Sequence, residues 1–391
     1  AGVPVHSELV PGYVGLQGKQ EFDDLSWRVE DVPAVIPEDG APPASELYPR
    51  LVYSSYGSWQ EAAAFFAEVF FPHVQADGEL KARAEELLAG WPLEEARLIV
   101  LFEHVAEDIR NIHLSLGLGG YEPNDAEVVY RSKYGDTRDK AVLLVSLLRA
   151  AGFEAYPALV HGQRSTFVES VPTLDQFDRV LVAMPEDDGY RFIDPFLDDV
   201  RFGYLRWGRG NTALVVRDDG SGELVEIPPF DPEENSSQSI SFVELEADGS
   251  AKILANCNLA GYFDRKARWA LKDATPLEKE KFFERSASSV SASAVGVSGT
   301  PSNLQDLTAP ASCRQEIEAP DFAVTQGDMM IVRLPDFPFD FAGMDVYPAK
   351  AERELPFDLP CEAQTDYTVI ATIPAGYEIV RRPADPMIET P

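Results

Sequence analysis

Basic residues are scarce in this chain: 33 Lys and Arg stand against 66 Asp and Glu, a formal net charge of −33. A balance of that sign excludes the electrostatic footprint that draws nucleic acid or anionic lipid. Cysteine is nearly absent. Cys257, Cys313 and Cys361 are three, an odd count that closes no complete disulfide framework, and no two have metal-ligand spacing. The histidines are also few and scattered (His6, His73, His104, His113, His161), so an ordinary zinc site is not expected and no cofactor is implied. No apolar run approaches the ~20 residues that span a bilayer, so no transmembrane segment is expected. The chain opens Ala1-Gly2-Val3 without Met or a signal core, which reads as a mature or trimmed product.

What is present is the composition of a folded protein, 45% hydrophobic and 25% charged. Its 391 residues are enough for two or three domains at roughly 100–200 residues each. Residues 1–45 are short apolar alternations broken by Pro and Gly, read as strands and a connector. Helical signals follow. Ser58-Trp59-Gln60-Glu61 has capping-box form before an apolar run that Pro72 stops. Leu98, Phe102, Val105, Ile109 and Ile112 fall on one stripe of a helix that starts near Pro92. Another helix follows Asp136-Thr137, with Gly152 as its natural C′ residue.

Strand patterns then take over at 154–160, 179–184 and 190–193, with Asp187-Asp188-Gly189 supplying a hairpin turn. Helices first and antiparallel strands after make an α+β pattern over residues 46–230. A Pro- and acid-rich linker precedes a mostly β region, 238–391, interrupted by one helix capped at Thr275-Pro276-Leu277-Glu278, for which a β-sandwich is the expected architecture. The tryptophans are scattered, Trp207 and Trp269 among them, and read as core or interdomain anchors.

Tyr134-Gly135-Asp136-Thr137-Arg138-Asp139-Lys140, the helix after it, and the exit Gly152-Phe153-Glu154-Ala155-Tyr156-Pro157 resemble the core motif of the transglutaminase-like superfamily. The likeness is to its bacterial branch, in which that core lies between two β-sandwich domains. Ile109-Arg110-Asn111-Ile112, Leu118-Gly119-Gly120-Tyr121-Glu122-Pro123, Phe177-Asp178-Arg179-Val180 and Phe192-Ile193-Asp194-Pro195 match further family segments in the right order. The resemblance implies a papain/transglutaminase-like core, helices packed on an antiparallel sheet, followed by a C-terminal β-sandwich. It also implies that residues 1–45 are the tail of a preceding sandwich, and that the protein is periplasmic or secreted.

The family's catalytic Cys, His and Asp fall on Thr137, Arg179 and Asp194. Two of the three groups are replaced. An internal Thr hydroxyl needs a general base, and Arg stays protonated, so the triad is expected to be inactive. His161, on the connecting strand or just after it, is considered as a substitute base. Several readings stay open at these positions. Asp136 or Thr137 caps the helix, or the Thr137 hydroxyl contacts a ligand. Arg179 and Asp194 form an inert ion pair, or Arg179 grips an anion. Asp136, Arg138, Asp139 and Lys140 read as a local salt-bridge and capping network. Gly117-Leu118-Gly119-Gly120 is a weak phosphate-loop candidate, with neither a preceding strand nor a following Lys-Ser/Thr.

The expected function is a non-catalytic module that binds a polypeptide, glycan or partner protein through Thr137, Arg179, Asp194 and Tyr121, or serves assembly in the cell envelope. The alternative is an active hydrolase or peptidase working in the same cleft. Oligomeric state is not legible.

Overall fold

A computed structural model describes residues 5–13, 20–23, 26–30, 34–36, 38–114, 116–117, 120–334, 352–359 and 361–381. Leu118 and Gly119 of the glycine-rich segment lie outside that set. The chain is α+β, with a β-rich C-terminal part. It divides into two compact units, 1–231 with 345–362, and 232–344 with 363–391. Residues 352–359 therefore belong with the first unit, not with the strands on either side of them. There Arg353 Nη1 donates to the Asp39 carbonyl at 2.8 Å and the Asp358 N–H to the Gly40 carbonyl at 2.7 Å.

The first unit opens with β1 (His6–Val10), β2 (Gln20–Asp23), β3 (Ser26–Val29), α1 (Ala44–Leu47) and β4 (Arg50–Ser54). β1 pairs antiparallel with β4, and Val10 packs against Val52, Val168 and Val171. The opening strand is thus built into this unit. Next come α2 (Trp59–Phe70), α3 (Gly78–Leu87), α4 (Glu94–Asp108), β5 (Arg110–Asn111), α5 (Ala126–Ser132), β6 (Tyr134–Gly135) and α6 (Thr137–Ala150).

Ser58 Oγ caps α2 by accepting the Glu61 N–H at 3.2 Å, which satisfies one of the orphan amides of the first turn. α4 buries Leu98, Phe102 and Val105, and Ile109 remains buried at its C-terminal cap. Ile112, expected on the same stripe, lies past the helix. Its N–H is drawn instead to the Gly135 carbonyl, at 2.8 Å, beyond the short parallel pairing of β5 with β6.

Strands β7 (Tyr156–Val160), β8 (Arg179–Glu186), β9 (Gly189–Ile193), β10 (Thr212–Val216) and β11 (Gly222–Glu226) form an antiparallel sheet in the order β11-β10-β7-β8-β9. Alternate residues serve two cores. Leu159, Val180, Val182, Ile193 and Leu214 face the helices, while Ala158, Leu181, Phe192 and Val215 meet Leu205 and Ile227 on the other side. α6 is buried from Thr137 through Leu148, on every side. A helix so enclosed must satisfy its charged first turn internally, and that requirement shapes the site.

The second unit contains β12 (Ser236–Leu245), β13 (Ala251–Leu259), α7 (Gly261–Leu271), α8 (Pro276–Val290), β14 (Val295–Ser302), β15 (Ser312–Ala319), β16 (Ala323–Gln326), β17 (Met329–Val332) and β18 (Gln364–Thr372). Its main sheet runs β14-β15-β13-β12-β18, with only β18 parallel to its neighbour. β12, β13 and β15 alternate strictly between buried and less buried residues. Among the described residues the β16–β17 hairpin, through Ala323, Met330 and Val332, packs on the cluster of Val243, Ile253 and Ile317, and α7 and α8 cover the rest of the buried face. Phe263, Ala267, Phe282 and Phe283 pack there on Ala255, Cys257 and Cys313. Trp269 is 76% exposed and is not part of the core of this unit. No described helix is long and apolar enough to cross a membrane.

Candidate functional site

Asp136 is the N-cap of α6, and Thr137 is the first helical residue. Asp136 Oδ1 accepts the N–H groups of Arg138 (2.8 Å) and Asp139 (3.2 Å), and Asp139 Oδ2 accepts the Asp136 N–H at 3.2 Å. This is a reciprocal capping box. The charges of the same turn are spent locally. Arg138 pairs with Asp136, and its Nη1 donates to the Gly120 carbonyl at 2.6 Å. Asp139 Oδ1 accepts the Asn124 N–H at 2.8 Å, and burial pushes its carboxyl pKa upward. Residues 120–124, Tyr121 included, are in this way strapped along the start of α6.

Lys140, one turn beyond Thr137 and fully buried, donates to the carbonyls of Ala106 (3.0 Å) and Ile109 (2.9 Å) and to Asn111 Oδ1 (2.8 Å). It therefore serves the carbonyls that the end of α4 leaves unpaired. Burial pulls its pKa down to about 8, with Asp198 and Asp194 pulling the other way. Lys140 Nζ lies 5.9 Å from the centre of the ring of Phe196, the residue whose N–H Asp194 accepts.

Arg179 opens β8, and Asp194 directly follows β9, its antiparallel neighbour. Arg179 Nη1 lies 3.4 Å from Asp194 Oδ2, and Asp194 Oδ1 accepts the Phe196 N–H at 3.0 Å. The Asp194 side chain is entirely buried, which pushes its pKa up against the opposing pull of Arg179. The guanidinium is held on two further sides. Its carbon lies 5.1 Å from the centre of the Trp207 ring, and Gly162 packs so closely that an added Cβ would stand 2.6 Å from Nε. Asp178 fixes that approach by accepting the Gly162 N–H at 2.7 Å.

Tyr121 donates its hydroxyl to Asp175 Oδ1 at 2.6 Å, and burial, helped by that bond, drives its pKa well up. Asp175 stands four residues before Arg179, so Tyr121 joins the α6 strap to the lead-in of β8. The Thr137 hydroxyl is buried and has no hydrogen-bond partner among the described residues. His161, just past β7, uses Nδ1 on the Gln163 carbonyl at 2.9 Å.

Chemically, the described groups are a capped helix N-terminus and a part-buried Arg–Asp contact. Arg179 stays protonated and cannot take a proton from Thr137, and the Asp194 carboxylate is occupied by Arg179 and Phe196. Among the described residues, no group of three or more His, Cys, Asp or Glu is placed to hold a metal. Two contributors were not singled out for this site by sequence: Trp207, whose ring carries Arg179, and Gly162, which has room for no side chain beside it. Neither position has a local pattern that would flag it.

No family model matches the sequence, and no curated protein does. Among solved structures, a candidate protease from Parabacteroides distasonis is similar at 19% identity and a TM-score of 0.48, over 81% of this chain and 64% of that one. The chain thus spans less than two thirds of that neighbour's length.

Proposed function

We propose that this chain is a transglutaminase-like protein that has exchanged catalysis for binding or assembly, holding a polypeptide, a glycan or a partner protein in the cell envelope. The observation that carries this reading is the Arg179–Asp194 contact, 3.4 Å long, at the positions of the family's base and its orienting acid. A permanent cation there supplies no proton acceptor, and Trp207 and Gly162 hold it in place. The spacing and order of the motif segments support the family; the envelope setting rests on the resemblance alone.

The second reading, a hydrolase with unusual groups, draws on the buried Thr137 hydroxyl, which has no hydrogen-bond partner among the described residues. Amine incorporation into casein, casein cleavage, and casein and peptidoglycan binding distinguish the two. The binding reading expects no turnover above blank and saturable retention of one of these two polymers, or of a purified envelope partner. Turnover abolished by Thr137→Ala would instead establish the hydrolase.

A further inference from the structure

Cys257 and Cys313 lie directly opposite each other on the antiparallel strands β13 and β15. Both are free thiols, 2% and 3% exposed, and both belong to the core beneath α7 and α8. Directly paired residues on neighbouring strands point their side chains to the same face, with Cα atoms roughly 4.5–5.5 Å apart. That separation falls within the roughly 4.4–6.8 Å that a disulfide spans. The neighbouring Cys257 thiol and burial together drive the Cys313 pKa far upward.

The register that brings the sulfurs together is fixed on both sides. On one, the Leu259 N–H donates to the Ala311 carbonyl at 3.1 Å, and Asp264 Oδ1 accepts the Ala311 N–H. On the other, Gln315, paired with Ala255, donates from Nε2 to the Phe283 carbonyl at 2.6 Å and accepts the Ser286 hydroxyl at 2.8 Å. A one-residue slip of either strand would turn that strand's cysteine to the opposite face, away from its partner. Between the two positions lie α7 and α8, which pack on the sheet, and β14, its edge strand.

We propose that Cys257 and Cys313 form a cross-strand disulfide that staples β13 to β15 beneath α7 and α8, and that it forms during folding by exchange with a low-molecular-weight disulfide. In the exchange, one cysteine thiolate attacks the oxidant disulfide, giving a mixed disulfide and releasing one thiol. The second cysteine thiolate then displaces the other oxidant sulfur. One protein disulfide forms, one oxidant disulfide is reduced to two thiols, and the two cysteine protons end on the released thiols. Folding is the time for this, because in the finished core both sulfurs are shielded and Cys313 holds its proton. Cys361 has no such partner and provides an internal control.

The test is refolding of the full chain from reduced, denatured protein with a mixture of oxidised and reduced glutathione, and separately with dithiothreitol. Each product is alkylated with iodoacetamide in denaturant and weighed. The expected glutathione product carries one alkyl group, on Cys361, is 2 Da lighter for the missing thiol hydrogens, and yields a Cys257–Cys313 linked peptide. It should also unfold at a higher temperature than the dithiothreitol product. Three alkylated cysteines, a stable glutathione adduct, or linkage through Cys361 would each overturn the proposal. Cys361→Ser, which removes the control thiol alone, must still give the linked peptide and no alkylation.

Discussion

The ammonium of Lys140 donates to the carbonyl of Ile109 at 2.9 Å, so the first turn of α6 is fastened to the last turn of α4 from inside the core. Lys140→Met would leave three acceptors, on Ala106, Ile109 and Asn111, without this donor. Unmet buried acceptors cost about 1–3 kcal/mol each, offset in part because a buried charge is removed. A net loss of about 2–4 kcal/mol is expected, read as a lower denaturant midpoint. A midpoint equal to wild type would mean that the acceptors find other donors.

The same side chain makes a pH prediction. Its folded pKa is lowered from 10.5 to about 8, so between these values the unfolded chain binds the proton that the folded chain has released. Stability contributed by this group therefore rises with pH through that window, and below it the burial penalty is fully present. The wild-type minus Lys140→Met difference, measured by urea unfolding from pH 7 to pH 10.5, should shift in favour of wild type as pH rises. A flat difference would show that Lys140 titrates as if exposed.

In the second unit, Arg268 is fully buried, with Asp264 Oδ2 2.7 Å from its Nε and the carbonyls of Asn303 and Ala309 at 2.7 and 2.6 Å. Removing one partner of such a pair leaves an uncompensated charge. Arg268→Met should cost about 3–5 kcal/mol, and adding Asp264→Leu should recover part of that loss. Thermal unfolding of the three variants checks both signs. A double variant less stable than Arg268→Met would show that Asp264 acts chiefly through the Ala311 N–H.

How far the sequence carries is visible at particular residues. The α6 start was legible because Asp136 and Asp139 have cap spacing, and capping is a local matter. The β8–β9 hairpin was legible through Asp187-Asp188-Gly189. The β10–β11 hairpin has equivalent chemistry in Asp218-Asp219-Gly220, a signal that sits beyond the last strand pattern read there. Pairing of Arg179 with Asp194 needed only the motif order, but Trp207 and Gly162 reach the guanidinium through tertiary approach, which no spacing encodes. The helices over the second sheet were half legible. Thr275 announces α8, whereas α7 starts from Ala260, with no side-chain cap. Strong strand alternation on either side therefore pointed to a second sheet.

The chemistry of the site is best tested by restoring what it lacks. Thr137→Cys with Arg179→His would set a thiol at the N-terminus of α6 and an imidazole beside Asp194. The helix terminus and a protonated imidazole both favour the thiolate, so the new thiol should ionise well below the usual ~8.5. The native cysteines offer the opposite setting: all three are buried, and burial pushes Cys361 up to about 11. Iodoacetamide should label position 137 faster than any of them at pH 7. Thr137→Cys alone keeps the permanent Arg179 cation. Its rate should therefore follow a single thiol ionisation, and only the double variant should show a second inflection near the imidazole pKa. The shorter His side chain also opens space that the guanidinium fills, which aids access of the reagent. Labelling no faster than Cys361 would separate Thr137 from Arg179 in space and remove the transglutaminase-like reading with it.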